Sequence, residues 1–416
     1  MAPRPLLPSF RYHPAAGELD PAECRLPWPE PRLEGVDLPP GVVGELARER
    51  GSRVPGRLVA SAKSWLSHAA VDRTAAILPW GAEAGIDRIS PVAACAGYLA
   101  HVRGAWDQAH PNHPLAEQDV ILTLPASFDE DARALTVEAA RLAGLERLHL
   151  LEEPQAACYA WIDRHRETLA EALGETRLLL VVDVGGGTTD LTLIRVEPGT
   201  DPPRLTRIAV GEHLMLGGDN MDLAIAHRVE SRLGGRIATG QLAQLVQQCR
   251  DAKERLLAAD APESTPVTLL AAGSRLVGGA RSTELTRAEV DELLDGFLPR
   301  VGPDATPQRR RGAIVEFGLP YAADPAISRH LAAFLHRHAE VAAEALETGE
   351  GPPMPDAVLL NGGVFHAHAL RRRLLAQLAD WRGSPPRLLD NPDPDRAVAY
   401  GAVAYGLARR GRGLKI

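Results

Sequence analysis

Lysine is nearly missing from this chain. Of its 46 basic residues only Lys63, Lys253 and Lys415 are lysine, and the rest are arginine. An arginine is a planar fork, whereas a lysine is a slim point charge. In so arginine-rich a chain, Lys63 and Lys253 are candidates for positions where a fork does not fit, the alternative being chance survival; Lys415, near the last residue, needs no such reason. Cysteine is scarce too. Cys24, Cys95, Cys158 and Cys249 stand far apart with no C-x-x-C pair, which excludes a zinc ribbon or disulfide framework and points to reduced thiols in a cytoplasm. The net charge of −8, with no basic stripe and 4% aromatics, excludes a nucleic-acid-binding face. No apolar run is long enough to span a bilayer, and "MAPRPLLPSF" lacks a basic-then-apolar signal pattern. Nucleic acid and membrane are therefore not expected partners.

What is present reads as α/β layers. Residues 1–55 are rich in proline and read as loops with short strands. A helix is expected over 57–68. Ser90 and Pro91 form a cap and first position for a helix running to about 108. "DVILTLP" (119–125) is a strand, "DEDARALTVEAARLAG" a helix with acids in its first turn, and "RLHLL" a strand. A long helix over 153–173 follows. Two strands meet in "LLLVVDVGGGTTDLTLIRV" (178–196), with a third at 204–210. Helices are expected near 219–232, 240–258, 286–298 and 326–346. A strand, 356–363, meets a glycine pair and a helix, and a last helix starts near Asp395. Trp65, Trp80, Trp106 and Trp161 read as packing residues.

The glycine run is the chemically suggestive feature. It lacks the Gly-Lys-Ser/Thr of a P-loop, and a strand rather than a helix follows it, so it is no Rossmann fingerprint. Strand, Asp-x-Gly-Gly-Gly-Thr-Thr-Asp, strand describes a tight hairpin. Glycines permit positive φ and close approach of a ligand, and bared N–H groups can form an anion nest. Asp183 and Asp190 flank that nest. Carboxylates beside phosphates repel unless a cation lies between them, which implies Mg²⁺ held through water. The alternative is a glycine-rich hairpin with solvated aspartates. "HPNHP", "HRH" and "HAH" have no neighbouring Cys or carboxylate set to complete a metal site, and "QRRRG" and "LRRRLL" read as solvated faces.

"VVDVGGGTTDLTLI" resembles the second phosphate hairpin of the DnaK-type heat-shock chaperones, the heat-shock protein 70 family, within the actin-like ATPase superfamily. "LVASAKSWLS" resembles the segment carrying that family's catalytic lysine, here Lys63. "LTLPASFDEDARALTVEAARLAGLERLHLLEEPQAACYAW" resembles its first connecting segment, with a switch proline at Pro125, a relay arginine at Arg133 and a catalytic-site glutamate at Glu153. "LGGDNMD" resembles the loop carrying Gly217 and Gly218. "CRDAKERL" resembles the adenosine-contacting helix, with Arg250, Lys253 and Glu254. "AVLLNGGV" resembles the adenosine motif, with Gly362, Gly363 and Val364, and "DRAVAYGAVAYG" the second connecting segment, with Asp395. The resemblance implies a bilobed actin-like (ribonuclease H-like) fold of mixed sheets around a nucleotide cleft. Residues 1–173 would form one lobe, 174–393 the other, and 394–416 a helix returning to the first. It implies ATP or ADP with Mg²⁺ as ligands. Asp183, Lys63 and Glu153 would serve catalysis, Gly185, Gly186, Gly187, Thr188 and Thr189 the phosphates, and Asp183 and Asp190 the metal. A co-chaperone or exchange factor would be a partner, and the cytoplasm the location.

The likeness has departures. The family's first Asp-x-Gly-Thr-Thr hairpin has no counterpart, since "RPLLPSF" resembles the segment just after it; the expectation is a lobe short of its first strand pair, and impaired hydrolysis. Arg250 and Glu254 stand where the family has Glu and Arg, Leu257 replaces Ser, and "GGVFH" replaces a small polar residue and an arginine. Residues 301–329 are expected to have no counterpart, and no β-sandwich substrate domain is expected within these 416 residues. A non-hydrolysing nucleotide-binding module and a small-molecule kinase on the same fold are the competing expectations.

Overall fold

The computed structural model describes residues 4–416 apart from 31, 201, 236, 238, 270–279, 309–314, 317, 348–352 and 415. Lys415 and most of "QRRRG" lie outside the described residues. The apolar run forms the strand Leu178–Val184, buried at every position. Its side chains alternate between two cores: Leu178, Leu180, Val182 and Val184 enter one, Leu179 and Val181 the other. Each such buried side chain contributes about 1.5–3 kcal/mol of transfer free energy, so two-sided burial fixes this strand centrally.

It is the middle of a five-stranded mixed sheet. Arg387–Leu389, Ala357–Asn361 and Leu178–Val184 run parallel, and Thr189–Glu197 and Arg204–Val210 continue antiparallel. Helices Gly218–Arg232, Thr239–Leu257, Ile327–Arg337 and His368–Arg382 supply the first core, and Glu153–Arg164 the second. A separate parallel pair, Val120–Leu124 with Leu148–Glu152, and a small sheet of Arg11–Tyr12, Val42–Val43 and Leu58–Val59 complete the frame of the site. Helix Pro91–Ala109 starts as expected, with Ser90 Oγ accepting the Ala93 N–H at 3.1 Å. Asp129 caps Glu130–Leu142 in the same way. The last helix, Ala397–Arg409, crosses Glu153–Arg164 almost backbone to backbone. A Cβ on Gly401 would lie 1.6 Å from the Ala156 carbonyl oxygen.

Several expected elements differ. The helix over 57–68 shrinks to Ala62–Trp65, because Leu58–Val59 pairs with Arg11–Tyr12 and Ser61 turns the chain at φ +54°. The helix over 153–173 breaks at His165 into Glu153–Arg164 and Leu169–Leu173, and that over 326–346 breaks at His338. His110, His165 and His338 each end a helix. Each packs its ring on an aromatic one turn earlier, Trp106, Trp161 and Phe334, at 4.3, 4.4 and 5.0 Å. His165 Nδ1 also donates to the Trp161 carbonyl, 2.9 Å, satisfying a helix-end acceptor. The N-terminal stretch holds an unexpected helix, Glu45–Arg53, entered at Gly44 with φ +77°. Ser264–Leu269 and Arg281–Thr286 form an antiparallel pair that the sequence reading missed. Trp65 and Trp161 are buried as expected, but Trp80 and Trp106 are 47% and 38% exposed. Among the described residues no helix is long and apolar enough to cross a membrane.

Candidate functional site

The glycine hairpin joins Leu178–Val184 to Thr189–Glu197, closed by the Gly185 N–H donating to Thr188 O at 3.0 Å. None of its glycines has positive φ, contrary to the expectation. Close approach explains Gly186 and Gly187 instead, while a Cβ on Gly185 would have room. A Cβ on Gly187 would come within 2.7 Å of Ser64 Oγ, and one on Gly186 within 3.2 Å of Asp219 Oδ1. The carbonyls of Gly185 and Gly186 accept the N–H groups of Gly218 and Asp219, 3.0 and 2.7 Å, at the start of helix Gly218–Arg232. Trans peptides point C=O and N–H oppositely, so the N–H groups of Gly186 and Gly187 face away from that helix start. Neither is hydrogen-bonded among the described residues, which leaves them as an anion nest.

Behind the hairpin, Asn361, Asp183 and Asp190 lie side by side on three adjacent strands. Asn361 Nδ2 donates to Asp183 Oδ2 at 2.9 Å, and the Ser127 N–H to Asp190 Oδ1 at 3.2 Å. Burial, then the nearby Glu153 charge, push Asp183 up to about 7 against the Asn361 hydrogen bond. The same two causes push Asp190 up to about 6. Lys63, on its short helix, is ion-paired to Glu153 at the first position of Glu153–Arg164. Burial works against the Lys63 charge, but Glu153, Asp190 and Asp183 more than offset it and raise its basicity. Three carboxylates thus surround one ammonium, an excess of negative charge that suits a bound cation. Among the described residues no set of three His, Cys, Asp or Glu side chains is disposed to hold a metal directly. Asp183, Asp190 and Glu153 are carboxylates, the hard oxygen donors that suit Mg²⁺.

A cavity of about 1760 Å³ opens over these groups. Lys63, Glu153, Asp183, Gly185, Gly186, Gly187, Thr188, Gly218, Arg250, Lys253, Glu254, Gly363, Val364 and Asp395 all line it. Thr189, Asp190, Gly217 and Gly362 do not. The Thr189 hydroxyl is buried and donates to Leu216 O at 2.7 Å. Asp190 is 3% exposed and sits behind the wall. The Gly217 N–H donates to Asn220 Oδ1, and a Cβ there would fall 2.6 Å from the Gly185 and Gly186 carbonyls. Gly362, at φ +89°, lies against the Val184 carbonyl, 2.3 Å from where its Cβ would be. These four shape the wall and do not form its surface.

Helix Thr239–Leu257 presents Gln244, Gln247, Arg250, Glu254 and Leu257 to the cavity and buries Leu245, Cys249, Ala252 and Leu256 behind. Arg250 is gripped by Asp219 and by Asp222 (Nε to Oδ2, 2.8 Å), which raise its basicity against burial. Lys253 Nζ lies 2.6 Å from Asp222 Oδ1 and donates to Gly218 O at 3.3 Å. The lysine and arginine are thus tied to the start of helix Gly218–Arg232. His366 Nε2 lies 2.9 Å from Asp395 Oδ1 at the far end. Arg133 wraps the turn after Pro125, donating to Phe128 O and Ala126 O and to Glu152 Oε1 at 2.9 Å. The sequence reading missed Ser64, Asp219 and Asp222. The latter pair had a signal, since acids three apart in "GGDNMD" complement a basic pair three apart, Arg250 and Lys253.

The profile of the Hsp70 protein family matches residues 90–306. The chain is 32% identical over 270 residues to a chaperone protein HscA homolog of Pseudomonas aeruginosa (strain LESB58), covering 62% of this chain and 40% of that protein. It is 29% identical over 375 residues to the HscA homolog of Acidithiobacillus ferrooxidans (strain ATCC 53993 / BNL-5-31), covering 87% of this chain and 50% of the relative. The HscA homolog of Variovorax paradoxus (strain S110) is 35% identical over 173 residues, 41% of this chain and 25% of the relative. The chain thus spans about half or less of the length of these relatives. With the family match extending over half of its residues, and with the mixed α/β architecture around the cavity, this chain belongs to the Hsp70 family.

Proposed function

We propose that this chain is the nucleotide-binding part of an Hsp70-type chaperone and binds ATP or ADP with Mg²⁺ in the 1760 Å³ cavity. The observation that carries the reading is convergence. The unpaired N–H groups at Gly186 and Gly187, the Asp183 carboxylate, the Lys63–Glu153 pair and the Gly363–Val364 turn lie in separate parts of the sequence yet line one space. The hairpin receives the phosphates, and Lys253, Glu254, Val364 and Asp395 the nucleoside end. Asp183 would hold the hydrated cation, with Asp190 behind it adding negative charge, and the cation would supply charge neutralisation between carboxylates and phosphates. Lys63 places positive charge beside the terminal phosphate, and Glu153 holds its ammonium in place. Turnover is attack of water on that phosphate, promoted by positioning and charge. A co-chaperone or exchange factor acts on the same domain, in a cytoplasmic setting.

A specific observation favours a second reading, a domain that binds nucleotide without hydrolysing it. The wall facing the hairpin tip is the Lys63 segment itself, with Ser64 Oγ against Gly187, and Lys63 is already committed to Glu153. One experiment tests both readings. Mg·ATP should raise the thermal midpoint of the wild type and leave that of Gly186→Val unmoved; equal shifts in the two proteins refute the site. Phosphate release from the bound wild type then separates hydrolysis from binding alone.

A further inference from the structure

The family profile ends at residue 306, so 301–306, expected to have no counterpart, belong to it; the alignment with the Acidithiobacillus ferrooxidans relative, 87% of this chain, runs on across 307–329. The described part of this stretch is fastened at both stems beside the five-stranded sheet. At the first stem the Val301 N–H donates to Gln377 Oε1 (2.8 Å). The Val301 carbonyl accepts from Gln377 Nε2 (3.0 Å) and Trp381 Nε1 (2.7 Å), both on His368–Arg382. At the second stem Asp324 accepts the N–H groups of Gln308 and Ala326 and a two-pronged bond from Arg329. Just before it, the Ala322 N–H donates to Met215 O at 3.0 Å.

Between the stems the chain reaches the Lys63 helix on the other side of the cavity. Gly318, at φ +80°, fits beneath two indoles. A Cβ there would lie 2.4 Å from Trp80 Cε2 and 2.5 Å from Trp65 Cη2. Its carbonyl lies 2.9 Å from His68 Nε2, which donates to it. Leu319 and Tyr321 then bury in one cluster that joins Val59, Ala62, Trp65 and Leu78 to Met215 and Leu223. Leu319 and Tyr321 also line the cavity.

We infer that residues 318–324 are a clasp built into the wall of the cavity, joining its two sides. It holds the helix carrying Lys63 against the hairpin side and sets how fast nucleotide enters and leaves. The inference rests on the nucleotide reading above for its ligand, but the clasp itself is a contact between two sides of one cleft. Widening the mouth pulls Gly318 from under Trp65 and Trp80, breaks its bond to His68, and exposes Leu319 and Tyr321. These costs fall on the opening step, so they slow passage in both directions and leave the equilibrium constant nearly unchanged.

Gly318→Val, which cannot fit beneath the indoles, unlatches the clasp, and His68→Phe keeps a ring beside Trp65 while removing the Gly318 hydrogen bond and the Ala70 N–H bond to His68 Nδ1. Fluorescently labelled ADP with Mg²⁺ should associate with and leave Gly318→Val about tenfold faster or more, with a dissociation constant within a few-fold of wild type. His68→Phe should show a smaller change in the same direction, and it carries the test if Gly318→Val does not fold. A rise in the dissociation constant with an unchanged association rate overturns the inference, because these residues would then act as ligand contacts. Hydrogen exchange without any nucleotide provides the second arm. Amides over 61–68 should exchange faster in whichever variant folds, and unchanged protection refutes the clasp even if nucleotide binds. Failure of wild-type ADP binding with faster exchange in the variants would refute the nucleotide reading and leave the clasp standing.

Discussion

Replacing Asp183 by Asn should stabilise the ligand-free protein while destroying its response to Mg·ATP. Asp183 is 7% exposed and faces the Glu153 and Asp190 charges, with Lys63 as compensation. Its folded carboxyl titrates near 7, against an unfolded value of 3.8. Below about pH 4 both states carry the proton, and the substitution changes little. Between about pH 4 and 7 the unfolded chain loses its proton and the folded chain keeps it, so stability falls as pH rises through the folded value. At about 1.4 kcal/mol per pKa unit, the full difference amounts to about 4 kcal/mol by pH 8, an upper bound since neighbours relax. Asparagine keeps an oxygen for Asn361 Nδ2 and carries no charge. Thermal midpoints of wild type and Asp183→Asn should therefore be close at pH 4 and diverge towards pH 8, the variant melting higher. The wild-type rise with Mg·ATP should vanish in the variant. A gap of equal size at both pH values would mean packing rather than charge accounts for it, and no gap at pH 8 would refute the electrostatic reasoning.

Asp324→Asn should do the opposite at acid pH. Burial alone would raise the Asp324 carboxyl, but Arg329 and the Gln308 and Ala326 N–H groups bring it down to about 2. Its contribution, about 2 kcal/mol, is present above about pH 4 and lost as pH falls towards 2, so acid unfolding should begin at higher pH in the variant; superimposable acid transitions would count against the cage. Arg250→Ala leaves Asp222, which is fully buried, with Lys253 alone. Denaturant melts should show a loss of roughly 3 kcal/mol, partly restored in Arg250→Lys, and a loss below about 1 kcal/mol would make the pair dispensable. Gly401→Leu should detach the last helix, because its side chain would enter the Ala156 carbonyl. Proteolysis near residue 397 should accelerate, and unchanged digestion would show that the helices can slide apart.

The sequence was legible where local chemistry decides structure. The run ending in Asp183 had to be a two-sided strand because its apolar residues fill both faces, and the cap at Ser90 marks a helix start on its own. It was less legible where distant partners decide. The glycines at 185–187 look like turn residues, but at Gly186 and Gly187 it is Asp219 and Ser64, far away in the chain, that crowd out a side chain. Leu58–Val59 reads as helix until Arg11–Tyr12 offers an edge to pair with. The breaks at His165 and His338 had a local sign after all, an aromatic four residues before a histidine, which hydrophobic period alone does not register. Among the residues that the family resemblance singled out, most line the cavity. The resemblance could not separate them from Thr189, Asp190, Gly217 and Gly362, which stand one layer behind, because burial depth is set by the tertiary packing.

The crossing of Ala397–Arg409 over Glu153–Arg164 has a mechanical consequence. With no side chain at Gly401 to act as a cushion, the two rods touch at their cores and cannot roll over one another. The Ile416 N–H, bound to the Tyr159 hydroxyl, pins them a second time. Together they form one stiff element, with Glu153 at the cavity at its near end and Asp390 held by Trp161 and Arg164 at its far end.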